Sequence, residues 1–188
     1  MGKIITLRST TTSVGAVAYT AGDEISNSAT AGSVVRATFE LAGFQRGIIR
    51  GAQLDVTAAS SNVVTTVFDV ELLLFKTANV PAAVGDNVTH PIAAAVRALA
   101  PGAFRFDDTG WTGPLGTVAA GTSQIQKVGA QVVMPTASPT LQHGYVGHIF
   151  EFKGGEEATL TAVLRALAAW TPVNVVNTFG ITLDIEVQ

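Results

Sequence analysis

The chain is patterned for strands over most of its length. Between Ser33 and Leu41, Val34, Arg36, Thr38 and Glu40 fall on one side, and Val35, Ala37, Phe39 and Leu41 on the other. A period of two with one polar row marks a sheet with one wet face. Gly47 to Thr57 reads similarly, with Ile48, Arg50, Ala52, Leu54 and Val56 opposite Ile49, Gly51, Gln53 and Asp55. The internal Gly51 predicts a bulge or a close backbone approach. Val63 to Lys76 becomes apolar on both faces through Leu72-Leu73-Leu74-Phe75, as a central strand would. Val14 to Tyr19 is a shorter block, stopped by Ala21-Gly22-Asp23. Gly144 to Lys153 predicts a strand, and Gly154-Gly155 a hairpin turn after it. Glu156 to Trp170 fits two periods. Leu160, Val163, Leu164 and Leu167 have helical spacing, while strict alternation also works. The double glycine directly after a strand favours strand. Ile181 to Val187 closes the pattern, with Ile, Leu and Val alternating with Thr, Asp and Glu.

The remaining segments break the period. Residues 1–13 end in Ser9-Thr10-Thr11-Thr12-Ser13, a run with little to bury. It is expected to be an extended N-terminal arm, frayed or ordered on a neighbour. Residues 77–90 carry the turn formers Asn79, Pro81, Gly85, Asp86 and Asn87. His90 to Leu99 predicts the one short helix, with Pro91 near its start and Pro101-Gly102 beyond its end. Residues 103–142 are the least regular, and connections this long are usually functional or pinned by a partner. The sum is an all-β fold: a jelly-roll-like two-sheet β-sandwich over residues 14–188, with one short helix and long loops.

Composition changes this picture in one respect. Only 13% of residues are charged, where roughly 25% is usual, and mean hydropathy is +0.39. No run of ~18 apolar residues is present to cross a membrane. A chain this poor in charge is expected to hide surface against other protein, as an assembly subunit does. Net charge is −3, and the basic residues are scattered, which disfavours nucleic acid as a partner. Arg46 and Arg50 are close in sequence and share a strand face, making them a candidate interface pair. Cysteine is absent, so disulfides and thiolate metal sites are excluded. The first residues lack the apolar stretch of a signal peptide, so folding in a cytoplasm is expected.

Candidate chemistry is sparse. His143 and His148 are five apart, which departs from the His-x-His spacing of a cupin metal centre. Asp107-Asp108 reads as a solvated turn. No Gly-x-Ser-x-Gly elbow is present. No catalytic residue, metal ligand or cofactor site is expected, and the chain is not expected to be an enzyme. Trp111, in a glycine-flanked loop, either anchors an interface or folds over the domain's own core.

The segment Tyr19-Thr20-Ala21-Gly22-Asp23 resembles the aromatic-x-x-Gly-Asp turn found early in small structural proteins of tailed bacteriophages. The strand Gly47 to Leu54, the Leu74-Phe75 pair and the late Trp170-Thr171-Pro172 follow in the order seen there. Glu24 departs from the resemblance, standing where a small apolar residue is expected. The resemblance implies a capsid decoration, or cement, protein with a jelly-roll body. It would sit on the outer capsid surface after synthesis in a bacterial cytoplasm. Its partners would be the major capsid protein and itself, as a dimer or trimer, with no nucleic acid and no membrane. The alternative is a head-fibre, tail or host-attachment module that binds carbohydrate or a receptor, with Trp111 as the stacking residue.

Overall fold

A computed structural model describes residues 2–14, 18–41, 43–58, 62–64, 69–107, 111, 116–118, 123–129, 148–170 and 176–187. Its elements are β1 (Lys3–Thr12), β2 (Glu24–Ile25), β3 (Thr38–Glu40), β4 (Arg46–Ala58), β5 (Asn62–Val64), β6 (Val70–Lys76), α1 (Ala94–Arg97), β7 (Gly102–Phe106), β8 (Gly116–Val118), β9 (Ser123–Gly129), β10 (His148–Glu151), β11 (Thr159–Ala166) and β12 (Asn177–Val187). Sheet 1 has the order β1-β12-β4-β10, and β9 also pairs with β4. Sheet 2 has the order β2-β11-β6-β7, and β3 also pairs with β11. All these pairings are antiparallel. Strands β9 and β10 lie in line along one edge of β4, opposite Thr57 to Gly51 and then Ile49 to Arg46. Strands β2 and β3 share one edge of β11 in the same way. Each sheet thus has four strand positions, and the chain passes repeatedly between the sheets. This is a jelly roll. A separate ribbon joins β5 to β8.

The core lies between the sheets. Ile49, Leu54, Phe179, Ile181, Leu183 and Ile185 from sheet 1 meet Phe39, Leu72, Leu74, Phe104, Phe106 and Leu160 from sheet 2. A smaller cluster of Leu73, Phe75, Ala103 and Val163 forms on the other face of sheet 2, under Val80, Ile92, Val96 and Ala100. Both faces of β6 and β11 are therefore covered. This explains why Leu72 to Phe75 shows no alternation, and why Glu156 to Trp170 matched two periods yet contains a strand.

Several expectations are corrected. Residues 3–12, read as part of an arm, form β1 and pair along their whole length with β12. Ile5 and Leu7 pack against the core, and the threonine-rich remainder suits an edge strand with a wet outer face. Gly154-Gly155 does not close a hairpin, because β10 belongs to sheet 1 and β11 to sheet 2. The turn, with Gly155 at φ +89°, carries the chain between sheets. The predicted helix shrinks to Ala94–Arg97. His90 is drawn into the interior instead, and its N–H donates to the Gly22 carbonyl. Residues 103–142, read as irregular, include most of β7 and all of β8 and β9. In β4 the alternation changes phase. Gly47 and Ile49 are buried, then Ala52, Leu54 and Val56. Pairing to β12 slips between Asp184 and Ile185, so Arg50 is the extra residue of a bulge beside Gly51. The strand predicted over residues 14–19 falls largely on 15–17, outside the described residues.

Candidate functional site

The turn at Tyr19 to Glu24 forms a buried corner where the segments around residues 19–26, 84–90 and 166–170 meet. Tyr19 and Trp170 exchange backbone hydrogen bonds of 2.7 and 3.0 Å, and their rings stack at 5.1 Å. Gly22 sits at φ +97°, which a side chain would resist, and its N–H donates to the Ala166 carbonyl. Asp23 accepts from the Thr20 N–H at 2.6 Å and from the Thr89 hydroxyl at 2.8 Å, closing the turn.

Two further carboxylates complete the corner. Asp86 accepts from the Tyr19 hydroxyl at 2.7 Å, the Ser26 N–H at 2.8 Å and the Val14 N–H at 3.1 Å. Burial pushes the Asp86 carboxyl above its usual range, against the pull of these hydrogen bonds. Burial and the Asp86 charge drive the Tyr19 hydroxyl far upward, so it stays a donor. Glu24 lies 2.8 Å from Arg36 and 2.8 Å from His90 Nδ1, and accepts from the Val84 N–H at 3.2 Å. Burial opposes its charge, but these partners outweigh it and hold the Glu24 carboxyl below the usual range. The glutamate that departs from the resemblance is therefore the anchor of an ionic cluster. The corner fixes the 77–90 loop to the body through paired, buried groups. It exposes no reactive atom.

The outer face of sheet 1 is different. Arg8 on β1 reaches across Gly180 of β12 to Asp55 on β4, with hydrogen bonds of 2.5 and 2.9 Å. A methyl group on Gly180 would collide with both partners. Arg50 pairs with Glu186. Along one cross-strand row lie Ile4, Glu186, Ile48 and Ile149, each opposite the next. Ile4 is 66% exposed and Ile149 68%. Beside Ile149, a shallow groove of about 580 Å³ runs between β10 and Ala98 to Pro101, where Leu99 is 52% exposed. Ile48, between Glu186 and Ile149, is half-buried, and Glu186 separates it from Ile4.

The other sequence candidates are placed as follows. Arg46 and Arg50 are both exposed, alternating with buried Gly47 and Ile49, and they flank Ile48 in this row. Arg46 stands opposite Glu151. Trp111 is half-buried against the core, its ring 6.4 Å from Phe106. His148 lies 3.0 Å from the Ala103 carbonyl, and His143 is outside the described residues. Among the described residues no group of three or more His, Asp or Glu side chains could hold a metal ion. The isoleucine row went unread in the sequence, although a signal for it is present. In a period-two strand the doublets Ile4-Ile5 and Ile48-Ile49 must each put one isoleucine outside.

No protein-family model matches the chain, and no curated protein matches it. Among solved structures it is similar to the decameric BFDV capsid protein, at 12% identity and TM-score 0.35, with 99% of each chain covered. It is also similar to a carbohydrate-binding module of glycoside hydrolase family 9 (Cel9A) from Ruminococcus flavefaciens FD-1. That match has 10% identity and TM-score 0.36, over 92% of this chain and 98% of that one. A third is the cyanophage Pam1 capsid asymmetric unit, at 12% identity and TM-score 0.28, over 97% and 85%. Likenesses of this degree leave the jelly-roll assignment resting on the strand order itself.

Proposed function

We propose that this chain is a structural protein of a virion: a decoration protein on the outside of a tailed-phage head that clamps neighbouring major capsid subunits. The carrying observation is the row Ile4, Ile48 and Ile149 on the outer face of sheet 1. The jelly roll already fills its interior from its own strands, so the exposed Ile4 and Ile149 of this row are surplus to folding and suited to a partner. The low charge of the chain agrees, because interface cores are depleted of charged residues. The resemblance carried by Tyr19, Gly22 and Asp23 points the same way.

The mechanism is burial without chemistry. Apolar area and backbone hydrogen bonds are added across the seam between capsid subunits. Because the protein binds the assembled shell and not its separated subunits, it stabilises the shell by mass action. The test is to mix the purified chain with heads that lack it, then follow co-sedimentation and the temperature of head rupture. Co-sedimentation with a raised rupture temperature is expected. A chain that ignores heads but binds host cells would replace this reading with the attachment-module one.

A further inference from the structure

Strand β1 is an edge of sheet 1, and among the described residues one of its sides carries no partner strand. The Ser13 N–H donates to the Asn177 carbonyl in register with the β1–β12 ladder. By alternation, odd-numbered residues of β1 point their backbone groups at β12. Ile4, Thr6, Arg8 and Thr10 point theirs away, and among the described residues no strand takes them up. The side chains are also incompletely covered. Ile4 is exposed on the outer face, while Ile5 and Leu7 on the inner face are only half-buried against the core. An edge with free backbone groups and apolar side chains on both faces is a template for another strand.

We propose that two copies of this chain associate through β1, antiparallel about a two-fold axis at Thr6. The residues select the register. The free backbone groups sit on even-numbered residues, so hydrogen-bonded pairs must join even to even. An axis at Arg8 sets Arg8 against Arg8, and like charges directly opposite are destabilising. An axis at Leu7 sets Ile5 against Ser9, and one at Ile5 sets Leu7 against Lys3. The axis at Thr6 sets Ile5 of each copy against Leu7 of the other, completing the burial that each lacks alone. It also sets Thr6 against Thr6, a favourable cross-strand pair, and keeps the arginines apart.

The paired stretch, Lys3 to Ser9, is about 24 Å long. That is short for a standard interface, so the dimer is of the weak, concentration-dependent kind. Sheet 1 then continues through both copies and presents two isoleucine rows on one surface, a two-fold arrangement that closes on itself. This rests on the self-association that the resemblance to decoration proteins implies, but it is measured without capsids, so it and the proposed function can fail separately.

The absence of cysteine makes the register directly readable, because a single introduced cysteine can cross-link a symmetric dimer only near its axis. Thr6→Cys, Leu7→Cys and Arg8→Cys chains would be oxidised mildly and run without reductant. In parallel, light scattering on the unmodified chain and on Thr6→Lys would be followed over a wide concentration range. The expected result is disulfide-linked dimer from Thr6→Cys well ahead of the other two. The unmodified chain should approach twice its 19.4 kDa mass. Thr6→Lys should stay monomeric with its melting temperature within a few degrees of the original, since the bond it loses, from the Thr6 hydroxyl to Asp184 at 2.9 Å, is exposed. A monomer at every concentration, strongest cross-linking at another position, or a Thr6→Lys chain that still dimerises would each overturn the proposal.

Discussion

Replacing Asp86 by alanine tests whether the corner is held by paired polar groups. The substitution removes the acceptor for the Tyr19 hydroxyl, the Ser26 N–H and the Val14 N–H. Tyr19 and Ser26 are buried, so water does not readily reach their donors, whereas the exposed Val14 can be rehydrated. The Ser26 N–H is orphaned outright and the Tyr19 hydroxyl is left with Ser13 alone, so at ~1–3 kcal/mol for a buried donor that loses its acceptor the cost is about 2–5 kcal/mol. Removing a carboxylate whose own burial is unfavourable returns part of this, leaving about 2–4 kcal/mol. For a chain of this size that lowers Tm by roughly 5–15 °C. Urea and thermal unfolding measure it, with Tyr19→Phe as the second arm. In the unmodified chain Tyr19→Phe should destabilise, because it deletes a satisfied hydrogen bond. In the Asp86→Ala background it should cost less, because the hydroxyl has already lost its main acceptor and keeps only Ser13. A loss below about 1 kcal/mol for Asp86→Ala, or an equal cost of Tyr19→Phe in both backgrounds, would refute the reasoning.

Four other outcomes are expected. The Glu24 carboxyl is held below its ordinary 4.5, so its stabilisation is full above that value and is lost as pH falls through the lower folded value. Glu24→Gln should therefore flatten the acid limb of a stability-against-pH curve; an unchanged limb would assign it elsewhere. The Gly180→Ala methyl should break the Arg8–Asp55 strap and cost about 1–3 kcal/mol by urea unfolding, with little further loss on adding Arg8→Ala. Ile149→Lys, at a position 68% exposed, should leave stability within about 0.5 kcal/mol of the original. It should also weaken co-sedimentation with phage heads by about tenfold or more. Trp111→Ala should lower Tm through lost packing against Phe106 and leave host adsorption unchanged.

The strand pattern was legible where one face is wet. Ala37, Phe39 and Leu41 are buried as their alternation requires, but Val35, assigned to the same face, is 68% exposed because the strand covers only Thr38–Glu40; the apolar run at Leu72 to Phe75 is a central strand. What could not be read depends on which sheet a strand joins. A Gly-Gly turn has the same local chemistry whether it closes a hairpin or crosses between sheets, so Gly154-Gly155 was misplaced. The bulge at Arg50 inverts every face assignment beyond it, and only Gly51 hints at it. The corner was half-visible. Tyr19, Gly22 and Asp23 were singled out as a turn, but Gly85-Asp86-Asn87 looks like any solvated loop. Its acceptor role depends on a tyrosine far away in sequence. The N-terminal strand was missed because threonines bury little on their own. They become a strand only when β12 lies alongside.

The pairing of Lys3 with Val187 has a consequence for how the protein folds. The strand that lies between β1 and β4 is β12, far from both in sequence. Closing that sheet means bringing together segments as distant as Lys3 and Val187, an entropically costly and slow step. Until β12 docks, β1 has no neighbour in sheet 1, and Ile4 and Ile48 are not brought into one row. Sheet 2 is nearer to local, since β6 and β7 pair with each other and can meet earlier. A folding intermediate with sheet 2 formed but β12 undocked therefore lacks the aligned isoleucines, so the outer row is a late product of folding.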